Sequence, residues 1–378
     1  LILAAVYFKL SRRVKLNEPP LVYYRFPIIG HTWSFLMDCE KLILESREKY
    51  GETFSIYAFG QIMTIAGNEA TYEILKNDQE FSFFEAVKKK IPLHIIFNNV
   101  DHGKNIKIIR EYAIGKLRNL LGRLQKEVIK AIDLYIGECI EPKVIHDPDK
   151  TLANIIVIPV ANFVVGELDG LQCYLDDPEI NPDNDPNNVN YNFIVDAICI
   201  FIFVAIGSTI KHATLVLYDL IKRKQYWHEL YQEALEINKQ CNGKELTYDD
   251  IHNMVKLDGF VKESLRLATN DHIVGLAHLC ISKSYYTFAN GYQIPNGRMV
   301  LLNYIDSHND EELQGQNPTE FHAYRHLERN SPATKIGRNN KAIQLWAKLV
   351  VSNKIFLMQV IIKEKYPLND VFNADKIV

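Results

Sequence analysis

Two residues of opposite charge stand three apart in Lys262-Glu263-Ser264-Leu265-Arg266-Leu267. On a helix that spacing puts Glu263 and Arg266 on one face, within reach of charge-assisted hydrogen bonds. Alone, the pair reads equally well as a surface ion pair of little worth. Further along, Phe321-His322-Ala323-Tyr324-Arg325-His326-Leu327 supplies another guanidinium. Six cysteines, at positions 39, 139, 173, 199, 241 and 280, lie too far apart for the CxxC or Cys/His spacing of zinc and iron-sulfur sites. They read as reduced, mostly buried thiols of a protein facing the cytosol. The hydroxyls of Ser208 and Thr209 interrupt an apolar run; with Gly207 they read either as a functional break or as a Gly-Ser kink in a core helix.

The elements that must hold these residues are mostly helical. Met254 to Leu267 carries the Glu-Arg pair and follows a shorter helix capped at Thr247. Phe193 to Ile210 is almost wholly apolar, and at that length a membrane span competes. Lys211 and His212 follow directly, however, and helical spacing continues through Leu215, Leu217, Leu220, Tyr226 and Leu230. A long helix buried in a globular protein accounts for the whole run. Upstream, Pro19-Pro20 and Phe26 to His31 make a turn-rich linker. A helix over 39–50 stops at Gly51, and two strands, 53–59 and 62–66, flank Gly60-Gln61 as a hairpin. Asn68 then caps a helix from Glu69 to Lys76.

Lys104 to Cys139 has helical spacing, with apolar residues on one side and Lys and Arg on the other; Lys88-Lys89-Lys90 precedes it. This basic face reads as a solvated surface or as a docking site for an acidic partner. Residues 168–191, rich in Asp, Asn and Pro, fit no long helix. Ser284 to Leu302 alternates like a small antiparallel sheet, and Leu345 to Lys363 is a last helix.

With 47% hydrophobic and 24% charged side chains over 378 residues, the chain can bury a sizeable core. A net charge of -3 supplies no global basic field, which argues against nucleic acid as a partner. Leu1 to Phe8 is apolar and runs into Lys9, Arg12, Arg13 and Lys15. Eight residues are too few to cross a bilayer, for which about 20 are needed. Residues 1–15 therefore read as a clipped membrane anchor with its basic flank, or as a frayed apolar strand, ahead of one domain over 16–378.

Taken in order, the Pro27-Ile28-Ile29-Gly30 turn, the hairpin with its Gly51-Glu52-Thr53-Phe54 lead, the apolar helix, the Glu263/Arg266 helix and the Arg325 segment resemble the cytochrome P-450 family. The likeness is greatest to microsomal members of fungal type and covers essentially the whole chain. It implies a mainly α fold with small β-sheets, incomplete because the pocket-roofing helices are missing around 168–191. It implies a haem-dependent monooxygenase that oxidises a lipophilic small molecule with O2. Electrons would come from an NADPH-cytochrome reductase docked on the basic face, at the cytosolic side of the endoplasmic reticulum membrane. By the same likeness Glu263, Arg266 and Arg325 form the family's Glu-Arg-Arg network. Val204 to Thr209 matches its oxygen-activation motif, putting Ser208 and Thr209 at proton-relay positions, although Gly207 stands where the family has an acid. Arg110 and Arg338 stand at positions that contact heme b.

The family's haem loop, Gly-Arg-His-x-Cys-x-Gly-Arg, aligns with Gly337-Arg338-Asn339-Asn340-Lys341-Ala342-Ile343-Gln344, and Trp346-Ala347 follow in register. Lys341 thus occupies the metal-ligand position. A thiolate donates electron density through iron and favours O-O cleavage, whereas an ammonium is no ligand. At an unperturbed pKa of about 10.4 a lysine is charged at neutral pH. The expectation is a chain that forms no thiolate-ligated haem. Two readings stand: a monooxygenase by family, or a catalytically inactive P-450-like protein or fragment.

Overall fold

The computed structural model describes residues 16–90, 117–137, 145–165, 174–178, 180–181, 185, 189–268, 277–304, 308–325 and 327. They fall into two units, one from residues 1–91 with 268–310 and the other from 92–267 with 311–378.

The first unit begins with helices α1 (Thr32–Met37) and α2 (Cys39–Tyr50). Asp38 caps α2 by accepting from the Lys41 N–H, and Gly51, at φ 87°, ends it. Strands β1 (Phe54–Ala58) and β2 (Gln61–Ala66) pair antiparallel around Phe59-Gly60, both at positive φ, as a two-residue hairpin turn requires. Next come α3 (Asn68–Lys76), β3 (Phe81–Ser82) and α4 (Phe83–Lys90). The unit is completed by β4 (Ala277–Cys280), β5 (Tyr285–Thr287), β6 (Gln293–Pro295) and β7 (Met299–Leu302).

The strands expected as one antiparallel sheet over 284–302 divide between two. β5 and β6 form a separate hairpin, while β7 enters a five-stranded sheet of order β1-β2-β7-β4-β3 and lies parallel to β2. The reason is visible in burial. Met299 and Leu301 join an apolar cluster with Ile43, Phe54 and Ile56, whereas Val300 and Leu302 join one with Ile74, Phe81 and Phe288. A strand covered on both faces belongs at the centre of a sheet, not in an exposed hairpin.

The second unit contains α5 (Leu117–Tyr135), α6 (Pro148–Val165), α7 (Tyr191–Lys222), α8 (Trp227–Gln240), α9 (Tyr248–His252), α10 (Val255–Leu267) and α11 (Glu311–Gln314). Leu121, Leu124, Val128 and Ile132 line one stripe of α5 and meet Leu152 and Ile155 of α6 and Val216 and Leu220 of α7. Gln125, buried on the same helix, donates to the Leu246 carbonyl at 2.6 Å and accepts from its N–H at 2.9 Å, which pins the loop before α9. Thr247 then starts α9 with a reciprocal capping box to Asp250. α6, largely apolar after its first turn and carrying Pro159, lacks the periodicity that reveals a helix in sequence.

Other details depart from expectation. Gly67, in extended conformation, is the N-cap of α3, and Asn68 is already helical. α7 ends at Lys222 and does not continue to Leu230: Arg223 leaves helical geometry, a 3-10 turn spans Lys224–Tyr226, and α8 starts afresh. The Arg223 side chain pairs with Asp219 and lies over the Phe321 ring at 3.9 Å, interactions that fix this break. Of the four described cysteines only Cys280 is buried; Cys39 and Cys241 are half-buried and Cys199 is exposed, so the expectation of mostly buried thiols fails for these. Among the described residues no helix is long and apolar enough to cross a membrane.

Candidate functional site

Helix α10 presents Glu263 to the interior of the second unit, where its side chain is 0% exposed. A buried carboxylate without partners would take up a proton, so its surroundings decide its charge. Arg266, one turn on, donates from Nε to Oε2 and from Nη2 to Oε1, each at 2.8 Å, as a two-pronged fork. The His322 N–H donates to Oε1 at 2.9 Å and Arg325 Nε to the same oxygen at 3.2 Å. Burial alone would raise the Glu263 pKa. The Arg266 and His322 hydrogen bonds, with the charges of Arg266 and Arg325, outweigh it and hold the carboxyl below its ordinary value.

Arg325 does more than neutralise. Its Nη1 donates to the carbonyls of Gln314 and Gln316 at 3.0 and 2.9 Å, and its Nη2 to those of Asn317 and Glu320 at 2.9 and 2.8 Å. With the Glu263 bond, all five donors of the guanidinium are engaged. A stretch of irregular chain, including Gly315 and Asn317 at positive φ, is thereby wound around one side chain. No lysine could replace that fork.

Two further features seat this segment. A Cβ added to Gly259 would lie 2.6 Å from the Ala323 carbonyl oxygen, so glycine allows the meander to approach α10 this closely. Phe321 packs with Phe260 of α10 and with Tyr226, and Tyr324 with Tyr226, ring centroids 5.1 to 5.8 Å apart. Sequence reasoning did not single out Gly259, although a glycine inside a helical pattern, four residues before Glu263, is the kind of signal that marks close backbone approach.

The structure brings Glu263, Arg266 and Arg325 together. Thr209 is buried within α7, at 3% exposure. Ser208 lies in the same unbroken 32-residue helix, its side chain outside the described residues. Arg110, Arg338 and Lys341 also lie outside the described residues, as does most of the expected basic face before Leu117.

The fold is mainly helical with small sheets. It matches a solved retinoic acid-bound cyanobacterial protein, CYP120A1, with a TM-score of 0.65 over 92% of each chain at 15% identity, a likeness of fold. The family model described as Cytochrome P450 matches residues 109–343, more than half of the chain. This chain belongs to the cytochrome P450 family. It is 32% identical over 130 residues to cytochrome P450 monooxygenase ccsG of Aspergillus clavatus, a stretch covering 34% of this chain and 25% of that protein. It is 31% identical over 137 residues to probable cytochrome P450 6a21 of Drosophila melanogaster, covering 35% and 27%. A shorter match, 44% over 49 residues, links it to a sterol 14-alpha demethylase of Aspergillus flavus, covering 13% and 10%. The matched stretches thus span about a quarter or less of these relatives' length.

Haem is the family's cofactor. Lys341, expected from the sequence at the ligand position, lies outside the described residues. Among the described cysteines, Cys280 is sealed within β4 at 0% exposure, its Sγ 3.5 Å from Ser282 Oγ and from the Ile294 carbonyl. It is a packed core thiol. Among the described residues no group of three or more His, Cys, Asp and Glu could hold a metal.

Proposed function

We propose that this chain carries the frame of a haem-dependent monooxygenase that oxidises a lipophilic small molecule with O2, drawing electrons from an NADPH-cytochrome reductase on its basic face at the cytosolic side of the endoplasmic reticulum membrane. The observation that supports this reading is the buried Glu263 carboxylate between Arg266 and Arg325, inside the stretch that matches the family. In this reading the three residues form the family's structural network. They hold residues 314–325 rigid and so position the chain that continues toward Gly337-Arg338. Ser208 and Thr209 would provide hydroxyls for proton relay, and Arg110 and Arg338 would contact heme b. The domain extends over 16–378, behind an anchor and basic flank at 1–15.

Lys341 favours a second reading, a P450-like protein without catalysis, because an amine lacks the charge and electron donation of a thiolate. The spectrum of the reduced, carbon monoxide-bound chain, expressed with ample haem, separates the two. A thiolate-type Soret band supports the monooxygenase. A folded chain without that band supports the non-catalytic reading.

A further inference from the structure

Three Asn-Gly pairs stand in this chain, at 242–243, 290–291 and 296–297, each in a turn. Chemically they are alike. Glycine has no Cβ to shield its backbone nitrogen, so that nitrogen can attack the side-chain carbonyl carbon of the preceding Asn and close a five-membered ring. The attack needs a free backbone N–H and a free side-chain amide. Where hydrogen bonds hold these groups, the turn must first open.

The fold treats the three pairs differently. At Asn290-Gly291 the Gly291 N–H donates to the Phe288 carbonyl at 2.8 Å, the Asn290 Oδ1 accepts from the Tyr292 N–H at 3.1 Å, and Asn17 Nδ2 holds the Gly291 carbonyl at 3.0 Å. At Asn296-Gly297 the Gly297 N–H donates to the Cys280 carbonyl at 2.8 Å, the Asn296 side-chain amide donates to the Ser282 carbonyl, and Lys89 Nζ reaches the Gly297 carbonyl at 3.2 Å. Both attacking nitrogens and both target amides are engaged.

Asn242-Gly243 is the exception. Among the described residues neither the Gly243 N–H nor the Asn242 side chain has a hydrogen-bond partner, and both residues are exposed. The turn rests on the Lys244 N–H bonded to the Cys241 carbonyl at 2.9 Å and the Asn242 N–H bonded to the Lys239 carbonyl at 3.1 Å. Asn242 and Gly243 both lie at positive φ, 48° and 75°. Asn is suited to that conformation just past a helix end, which accounts for its presence here.

We propose that Asn242 is a site of spontaneous covalent modification, where the folded chain turns Asn242-Gly243 into aspartyl and isoaspartyl linkages, loosening the loop that follows, while the other two pairs persist. Hydroxide from water takes the Gly243 N–H proton and the nitrogen bonds to the Asn242 side-chain carbonyl carbon. The bond from that carbon to Nδ2 breaks, and Nδ2 takes a proton from water and leaves as ammonia. Water then opens the ring. Cleavage at the side-chain carbonyl gives an aspartyl residue, and cleavage at the main-chain carbonyl gives the isoaspartyl form. The net change is one water consumed and one ammonia released, with no oxidant or reductant.

The surroundings give the change a consequence. α8 ends at Gln240, so a new carboxylate at 242 stands at the negative end of that helix. Glu245 follows three residues later, seated over Gly122 of α5, where a Cβ would lie 1.8 Å from its Oε2, and paired with Lys126 at 2.7 Å. Leu246, buried, is held at both backbone groups by Gln125. The isoaspartyl form also lengthens the main chain by one methylene just before this latch.

The purified full chain, shown to be folded by circular dichroism, is kept at mildly alkaline pH and digested at intervals. Mass spectrometry follows amide-to-acid conversion at each Asn-Gly pair, and chromatography separates aspartyl from isoaspartyl peptides. Asn242 should convert roughly tenfold or more faster than Asn290 or Asn296. In urea the three rates should converge, because the fold is what separates them. Asn242→Gln, whose ring closure would need six members, should remove the fast conversion. Amide exchange at Leu246 should be faster in converted protein than in fresh protein. Equal rates at the three pairs in the folded chain, or Asn290 or Asn296 reacting first, would overturn the assignment. So would a lead for Asn242 that persists in urea. Unchanged protection at Leu246 would overturn the loosening of the loop. None of these readouts involves haem or turnover.

Discussion

Glu263 and Arg325 lie 62 positions apart in the chain and 3.2 Å apart in the fold, with both side chains almost wholly removed from solvent. Their contact converts two separate segments into one electrostatic unit, because Arg266 grips the same carboxylate from the other side.

Breaking that unit should be costly. Glu263→Gln leaves two guanidiniums buried with reduced compensation, and Arg325→Lys abandons most of the carbonyls of residues 314–320. Each change should lower stability by about 3 to 5 kcal/mol, the usual effect of removing one partner from a buried charged pair. Urea denaturation of the purified chain measures it, and a loss under about 1 kcal/mol would class the cluster with surface pairs.

Acid should act through the same carboxyl. The folded pKa of Glu263 lies below its unfolded value, taken as about 4.3 for a free Glu. The stabilisation is therefore present in full above that unfolded value and is lost as pH falls through the folded one. Stability curves from neutral pH downward should show a drop in the parent chain that is shallower in Glu263→Gln.

Gly259→Ala tests close approach without touching a charge. The new methyl must displace the Ala323 carbonyl oxygen from 2.6 Å, which should cost about 1 to 3 kcal/mol as an overpacking change. Amide exchange should report the displacement at the His322 N–H, which donates to Glu263. Unchanged protection at His322 in the variant would show that the meander does not need this contact.

Lys341→Cys addresses the haem loop. The parent chain, with an amine at that position, should give no thiolate-type band when reduced and bound to carbon monoxide, and the variant should give one. Equal spectra from the two proteins would remove position 341 from haem ligation.

Which features could be read in advance follows from how locally they are encoded. The Gly51 stop, the β1–β2 turn and the Thr247 cap each depend on a few adjacent residues and were legible. The Glu263/Arg266 spacing was legible too, and its meaning came only with the order of the surrounding motifs. α6 was missed because a long apolar run with an internal proline blurs periodicity. The place of β7 was misjudged because parallel pairing with β2 is encoded by a partner more than two hundred residues away. The five-donor use of Arg325 was invisible for a related reason: its acceptors are backbone carbonyls, which no side-chain pattern announces.

The pairing of Met63 with Met299 also sets a timetable for synthesis. A nascent chain leaving the ribosome completes β1, β2 and the first helices early, yet the inner edge of β2 has no neighbour until β7 has emerged. During that interval Met63 to Ala66, fully buried in the finished sheet, present a bare apolar strand to whatever is near. Non-local closure of this kind is slow. The order of the strands thus leaves this edge of β2 without its sheet neighbour until the chain between them has been made.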